Sequence, residues 1–254
     1  MKKLIFIAAV IVVGLSFNAC SSDSNDSGKY AYKVRMTDAP GPYDEVNIDL
    51  QAVEVIGSNG QTITLNTTAG IYNLLTLSNG ISTMIATSEM GDVKASQIRL
   101  LLGNNNTVKL NGIVYPLSTP SADQSGLKIN VTQTLLENVE NEILIDFDAN
   151  TSIVETGAGV YKLKPVLRTI VASTSGIILG RINSVGTKAV IMATSSSNVE
   201  YSTNVNAAGM FQMAGLPAGT YTVTATPAFP GQAVTQQNVV VTNSTTTNIG
   251  AINL

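Results

Sequence analysis

Apolar and polar residues alternate over long stretches of this chain, and the phase of the alternation predicts strands. Between Glu45 and Leu50, Val46, Ile48 and Leu50 fall on one face and Asn47 and Asp49 on the other. Val53 and Val55 continue the pattern out of phase, so a bulge at Gln51 or Ala52 is needed to return them to the apolar face. Gln97 to Leu102 groups Ile98, Leu100 and Leu102, and Glu142 to Asp148 does the same with Ile143, Ile145 and Phe147. Thr107 to Leu110, then Asn111-Gly112, then Ile113 to Tyr115 predicts a hairpin, because Asn-Gly tolerates the positive φ angles of a two-residue I′ turn. Gly57 to Gly60 predicts another turn. Towards the C-terminus Tyr221, Val223 and Ala225 alternate inward, while Phe211 and Leu216 are expected to fill a core across a turn whose backbone angle Gly219 permits. Short strands of this kind predict an all-β fold, with two antiparallel β-sandwich domains in tandem.

The first twenty residues follow a different rule. Lys2 and Lys3 precede an uncharged run from Leu4 to Leu15, and Ser16, Phe17, Asn18, Ala19 and Cys20 close it. A spanning helix needs roughly 18 to 20 apolar residues, so the run is too short to remain in a membrane and reads as a signal peptide over residues 1–19. The one cysteine of the chain stands directly behind Ala19, in a setting that resembles a lipoprotein processing motif. Cys20 is therefore the expected lipid attachment site, and the membrane the expected partner through that lipid. Several acyl chains, at about 0.8 kcal/mol per buried methylene, make a stable anchor. The alternative is an ordinary secretory signal beside a free cysteine, which an exposed unpaired thiol in an oxidising compartment disfavours. Residues 20–29 are small, polar and acidic, the composition of a flexible tether. Asp23 and Asp26 also resemble the surface-export signals of some Gram-negative lipoproteins, so an outer-membrane lipoprotein facing the cell surface, rather than the periplasm, is expected.

Composition then removes whole classes of function. Loss of residues 1–19 takes away two lysines and leaves 235 residues with 12 basic against 17 acidic side chains, a net charge of −5. Nucleic acid is an unsuitable partner for such a chain. The sequence contains no histidine, which excludes a Ser-His-Asp triad, a Cys-His pair and a histidine-ligated zinc site. Carboxylate-only chemistry, such as a glycosidase pair, and a Ser-Lys mechanism pass this test.

Residues 30–172 form the expected first domain. The segments Thr37 to Pro40 (TDAP), Gln97 to Leu100 (QIRL), Ser125 to Ile129 (SGLKI), Ile145 to Ala149 (IDFDA) and Tyr161 to Val166 (YKLKPV) resemble, in order and spacing, domain of unknown function 4382, a family of envelope lipoproteins. The resemblance implies location and fold, and supplies no catalytic residue. From the residues themselves, Asp146 and Asp148 share one side of a strand and, with Asp38, are the candidates for a calcium or catalytic carboxylate cluster. The competing reading puts them on a solvated strand face with Asp148 or Asp38 closing a turn. Ser125 and Lys128 fit S-x-x-K, but enter the strand-like run Leu127 to Val131 with no K-T-G to complete a pocket, so a chance match is expected.

The polar joint Ser173 to Gly176 precedes the second expected domain, residues 175–254. The spacing of Gly209, Phe211, Leu216, Pro217, Gly219 and Tyr221 is similar to that of a carboxypeptidase regulatory-like domain, a small prealbumin-like sandwich. Gly176 to Ile182 and Ala189 to Ala193 look like its first strands. The resemblance implies a spacer or binding accessory, with a fold shared by starch-binding domains. Phe211 and Tyr221 are expected in the core, which leaves Tyr201 and Phe229 as exposed candidate contacts for a glycan. The leading expectation is a non-catalytic, lipid-anchored binding, adhesion or structural protein without a cofactor or metal, engaging a glycan or another envelope protein. The alternatives are a carbohydrate-binding accessory in polysaccharide capture and a carboxylate-only hydrolase.

Overall fold

The computed structural model describes residues 30–254 except 40, 92–93, 120–124, 158, 171–173, 184–185 and 229–230. The signal segment 1–19, Cys20, the tether to residue 29, Ser173 and Phe229 lie outside the described residues. Among those described, no helix is long and apolar enough to cross a membrane.

The chain is all-β. The first fourteen strands are β1 (Tyr30–Ala39), β2 (Glu45–Gly57), β3 (Thr62–Thr64), β4 (Asn66–Thr67), β5 (Gly70–Asn73), β6 (Thr83–Met90), β7 (Ala95–Leu102), β8 (Thr107–Leu110), β9 (Ile113–Ser118), β10 (Leu127–Gln133), β11 (Glu140–Asp148), β12 (Ile153–Gly157), β13 (Val160–Leu163) and β14 (Leu167–Ile170). They form a five-stranded sheet in the order β14-β11-β1-β6-β4 and a nine-stranded sheet in the order β10-β7-β2-β8-β9-β13-β12, with β3 and β5 also paired to β2. The last seven are β15 (Ser175–Ile182), β16 (Ala189–Ser195), β17 (Glu200–Asn204), β18 (Met210–Pro217), β19 (Gly219–Pro227), β20 (Val234–Val241) and β21 (Thr246–Ile252). These make a three-stranded sheet, β18-β15-β21, and a four-stranded sheet, β17-β16-β19-β20. Each set of sheets encloses its own hydrophobic core.

The expected sandwich fold is present, with a difference in strand direction. Most neighbours are antiparallel, but β1 runs parallel to β11, β9 to β13 and β15 to β21. Partners so far apart in sequence are not joined by tight turns, so no local signal announces them.

Local patterning is otherwise followed closely. Asn111 and Gly112 both have positive φ, 51° and 78°, and join β8 to β9. In β2 the pairing with β7 passes from Leu50↔Leu102 to Ala52↔Leu101, so Gln51 is the extra residue of a bulge. Val46, Ile48 and Leu50 before it, and Val53 and Val55 after it, are all fully buried. Each such side chain is worth about 1.5–3 kcal/mol relative to an exposed position. Asp49, on the opposite face, is also buried, and its carboxylate accepts hydrogen bonds from Gln51 Nε2, Asn105 N and Asn105 Nδ2 at 2.5, 3.2 and 3.0 Å.

One expectation is corrected in the second sandwich. Phe211 and Leu216 are both fully buried, but they belong to the same strand, β18, and no turn separates them. The spacing works because the pairing of β18 with β15 passes from Ile178↔Met213 to Gly176↔Leu216, a bulge at Ala214 and Gly215. Gly215, not Gly219, carries the left-handed backbone angle, with φ of 77°.

Deletion of Gln51 removes the phase slip and turns Val53 and Val55 out of the core. The deleted chain is expected to fail to fold, whereas Gln51→Ala, which keeps the count, should cost less than about 1.5 kcal/mol in urea denaturation.

Candidate functional site

Strand alternation decides where the three candidate aspartates go. Asp38 follows Tyr32, Val34 and Met36 on the core-facing side of β1 and lies in register with Phe147. Asp146 and Asp148 are in register with Thr37 and Ala39, on the opposite side of the same sheet. The register thus gives the trio to different faces of the sheet, although Asp38 and Asp146 both border the small cavity of about 30 Å³ at the joint. Among the described residues no group of three His, Cys, Asp or Glu side chains could hold a metal ion.

Each carboxyl has a local task. Asp38 Oδ1 accepts a hydrogen bond from Ala149 N at 3.0 Å, at the start of the short helical turn α1 (Ala149–Ser152). Its Oδ2 is buried without a protein partner. Burial pushes the Asp38 carboxyl well above the usual aspartate range, opposed by the Ala149 bond and reinforced by the charges of Asp146 and Asp148. Asp148 caps α1 by accepting from Thr151 N at 2.9 Å.

Asp146 is not on a wet face. It sits directly across the β11–β14 ladder from Arg168, and its Oδ2 accepts from Arg168 Nη2 at 2.6 Å and Nε at 3.1 Å. Burial raises its pKa, and the Arg168 charge and hydrogen bonds act against that rise without cancelling it. Arg168 also approaches Asp148 Oδ2 at 4.0 Å.

Arg168 reaches beyond the first sandwich. Its Nη1 donates to the Glu200 carbonyl at 3.0 Å, and its Cζ lies 4.5 Å from the centre of the Tyr201 ring, on β17. Tyr201 is half-buried and meets Tyr221 edge-on at 6.0 Å. Its ring therefore packs in the joint between the sandwiches and does not offer the exposed platform expected. Phe211 and Tyr221 are core residues, as expected, Tyr221 by the alternation of its strand.

The second fastening is Asn79, in the turn before β6 with φ of 60°. Its side-chain amide accepts from Gln212 N at 2.5 Å and donates to the Met210 carbonyl at 3.3 Å, while Asn79 N donates to Thr203 Oγ1 at 3.1 Å. The amide thus meets β18 as a neighbouring strand would, through the N–H of one residue and the C=O two positions away. Beside it Ile170 packs on Gly215 so closely that a Cβ there would lie 2.2 Å from Ile170 Cδ1. Sequence reasoning passed over Asn79-Gly80, although it is the same dipeptide that identified the Asn111-Gly112 hairpin. Arg168 gave no local signal.

Two clefts flank this joint. One, of about 530 Å³, is lined by Leu144, Ile170, Ile177 and Ala214 with a rim of Glu142 and hydroxyls. The other, of about 520 Å³, is lined by Lys128, Asn130, Arg168, Ile170, Tyr201 and Pro217. Ser125 lies in a turn and Lys128 in β10, so S-x-x-K has no helix to present its serine.

The family model described as Domain of unknown function (DUF4382) matches residues 31–165. No curated protein matches the chain. Among solved structures, the Bacillus anthracis TIE protein aligns at 12% identity over 88% of this chain and 34% of that one, with a TM-score of 0.25. The chain thus spans about a third of the length of that protein. BcpA, the major pilin subunit of Bacillus cereus, aligns at 9% identity over 89% and 99% of the two chains, with a TM-score of 0.24. The shaft pilin SpaA of Lactobacillus rhamnosus GG aligns at 9% identity over 88% and 97%, with a TM-score of 0.21. Superpositions this weak define no common fold.

Two outcomes test the electrostatics. Arg168→Met leaves the Asp146 charge buried and unpaired, so it should lower stability by about 3–5 kcal/mol in urea denaturation, and adding Asp146→Asn should restore most of the loss. Asp38 binds its proton more tightly folded than unfolded. Its contribution is thus complete below the ordinary aspartate range and is lost as pH rises through the folded value. Asp38→Asn is expected to flatten the decline in Tm as pH rises above the ordinary aspartate range, and an unchanged slope would refute the assignment.

Proposed function

The chain belongs to the DUF4382 family, and we propose that it works as a non-catalytic surface protein, tethered by a lipid on Cys20 and presenting two sandwiches as one stiff unit. The observation that carries this reading is the joint. Arg168, Asp146, Tyr201 and Asn79, the groups best suited to chemistry or contact near the candidate aspartates, are engaged in fastening one sandwich to the other. Asp38 and Asp146 both border the cavity at the joint, but at about 30 Å³ it has no room for a sugar between them, unlike the cleft of a glycosidase. Stiffness suits a molecule that must hold a contact surface at a set distance from a membrane.

In this proposal residues 1–19 are removed, residues 20–29 form the tether, and residues 30–172 and 175–254 act as the two domains, the second as a carboxypeptidase regulatory-like module. The lipid places them on the outer membrane, with the folded part facing outward.

Fractionation and proteinase treatment of intact cells test both halves of the reading. The parent should sediment with membranes and be digested from outside, and Cys20→Ser should appear in the soluble fraction. Purified Asn79→Ala/Arg168→Met should be cut by low protease into two fragments, one for each sandwich, under conditions that leave the parent whole. A Cys20→Ser chain that sediments like the parent, or a parent that is cut as readily as the double variant, overturns it.

A further inference from the structure

We infer that the polar cleft beside the joint binds an acidic sugar, the simplest being a uronic acid residue of a polysaccharide. This rests on the stiff joint proposed above, because the walls come from both sandwiches: Lys128, Asn130, Asp146 and Arg168 among those of the first, Tyr201 and Pro217 among those of the second. At about 520 Å³ the cleft falls within the range of small-ligand sites, whereas the cavity at the centre of the joint, about 30 Å³, holds little more than a water molecule.

The charge of the cleft selects an anion. Arg168 and Asp146 neutralise each other at 2.6 Å. Lys128 has no acidic partner among the described residues, and directly across the β7–β10 ladder it faces Arg99, whose own charge is taken by Glu54 at 3.1 Å. Like charges placed opposite one another weaken a sheet, so Lys128 is a poor choice for stability and a good one for meeting a carboxylate. The chain as a whole carries a net charge of −3, so attraction of an anion to this spot is local.

The remaining groups select a hydroxylated ligand. Asn130 Oδ1 accepts from Gln97 Nε2 at 3.1 Å, which leaves the Asn130 amide hydrogens without a partner among the described residues. The Tyr201 hydroxyl likewise has no protein partner there, although its ring is fixed by Arg168 and Tyr221. An ammonium, an amide donor and a phenol, set beside the apolar surfaces of Ile170 and Pro217, match the carboxylate, hydroxyls and C–H face of a sugar acid. An acidic peptide side chain would use Lys128 and leave the other two groups idle.

Calorimetric titration of the full chain in detergent with a galacturonate trisaccharide tests the inference, with a neutral galactose trisaccharide, hexaglutamate and inorganic sulfate as comparisons. The acidic sugar should bind, the neutral one about tenfold more weakly or worse. Lys128→Ala should weaken the acidic sugar by about tenfold, and Tyr201→Phe, which keeps the ring, by severalfold, with thermal unfolding unchanged in both. Equal binding of hexaglutamate or sulfate, or insensitivity to Lys128→Ala, overturns the sugar assignment. A parent that resists protease as a single unit and binds no acidic sugar overturns it too, and leaves the anchored, stiff molecule standing.

Discussion

The structure turns on a carboxylate that alternation directs away from its own core. Ile143, Ile145 and Phe147 claim the inner face of β11, so Asp146 must point outward, and it is nevertheless buried because the second sandwich lies against that face. Taking a charge out of water costs several kcal/mol unless it is paired and hydrogen-bonded. Arg168, directly opposite on β14, meets that requirement with two donors and still has a nitrogen free for the Glu200 carbonyl and a flat face for Tyr201. Lysine, with one compact ammonium, would pair the charge but could not bridge to β17 in the same way. The ion pair adds little net stability by itself. Its force lies in what happens when one member is missing, since the joint then contains an unmatched charge.

Around that pair the orientation of the sandwiches is set by shape. Asn79 adopts a left-handed backbone angle that brings its amide flat against the edge of β18, and Gly80 beside it leaves room for the Gln212 side chain, which a Cβ would meet at 2.6 Å. The bulge at Gly215 opens the seat that Ile170 fills. Polar bonds, an ion pair and one apolar contact therefore constrain the same interface from different directions. Domains joined only by a short linker lack such constraints and move relative to each other by default.

What could be read from the sequence was what depends on near neighbours. The period-two runs located β2, β7 and β11, the slip between Leu50 and Val53 located the bulge at Gln51, and Asn111-Gly112 located a hairpin. Alternation states which residues share a face, but not what covers the other face, so Asp146 looked solvated and Tyr201 looked exposed. The same limit hid the separation of Asp38 from Asp146, because their relation depends on β1 pairing in parallel with a strand more than a hundred residues away. Phe211 and Leu216 were placed in the core correctly and in the wrong local geometry, since a bulge and a turn both permit an odd spacing. Lys128 was noticed only as part of a serine motif, and its meaning came from the unshared charge that the register with Arg99 reveals.

The docking also answers a problem created by composition. From Tyr201 to Leu254 the sequence has no Asp, Glu, Lys or Arg, so β18, β20 and β21 lack the charges that commonly keep sheet edges from pairing with other chains. Asn79 takes up the outward N–H of Gln212 and C=O of Met210, which closes the edge of β18 on the side facing the first sandwich. At the far corner Thr247 Oγ1 donates to the Val240 carbonyl at 2.7 Å, a side chain again serving where a strand partner would. Sheet edges closed in this way do not need charges of their own to keep from pairing with another chain. It follows that the first sandwich is more than a neighbour to the second: by covering β18 it supplies the protection that the sequence of the second does not encode.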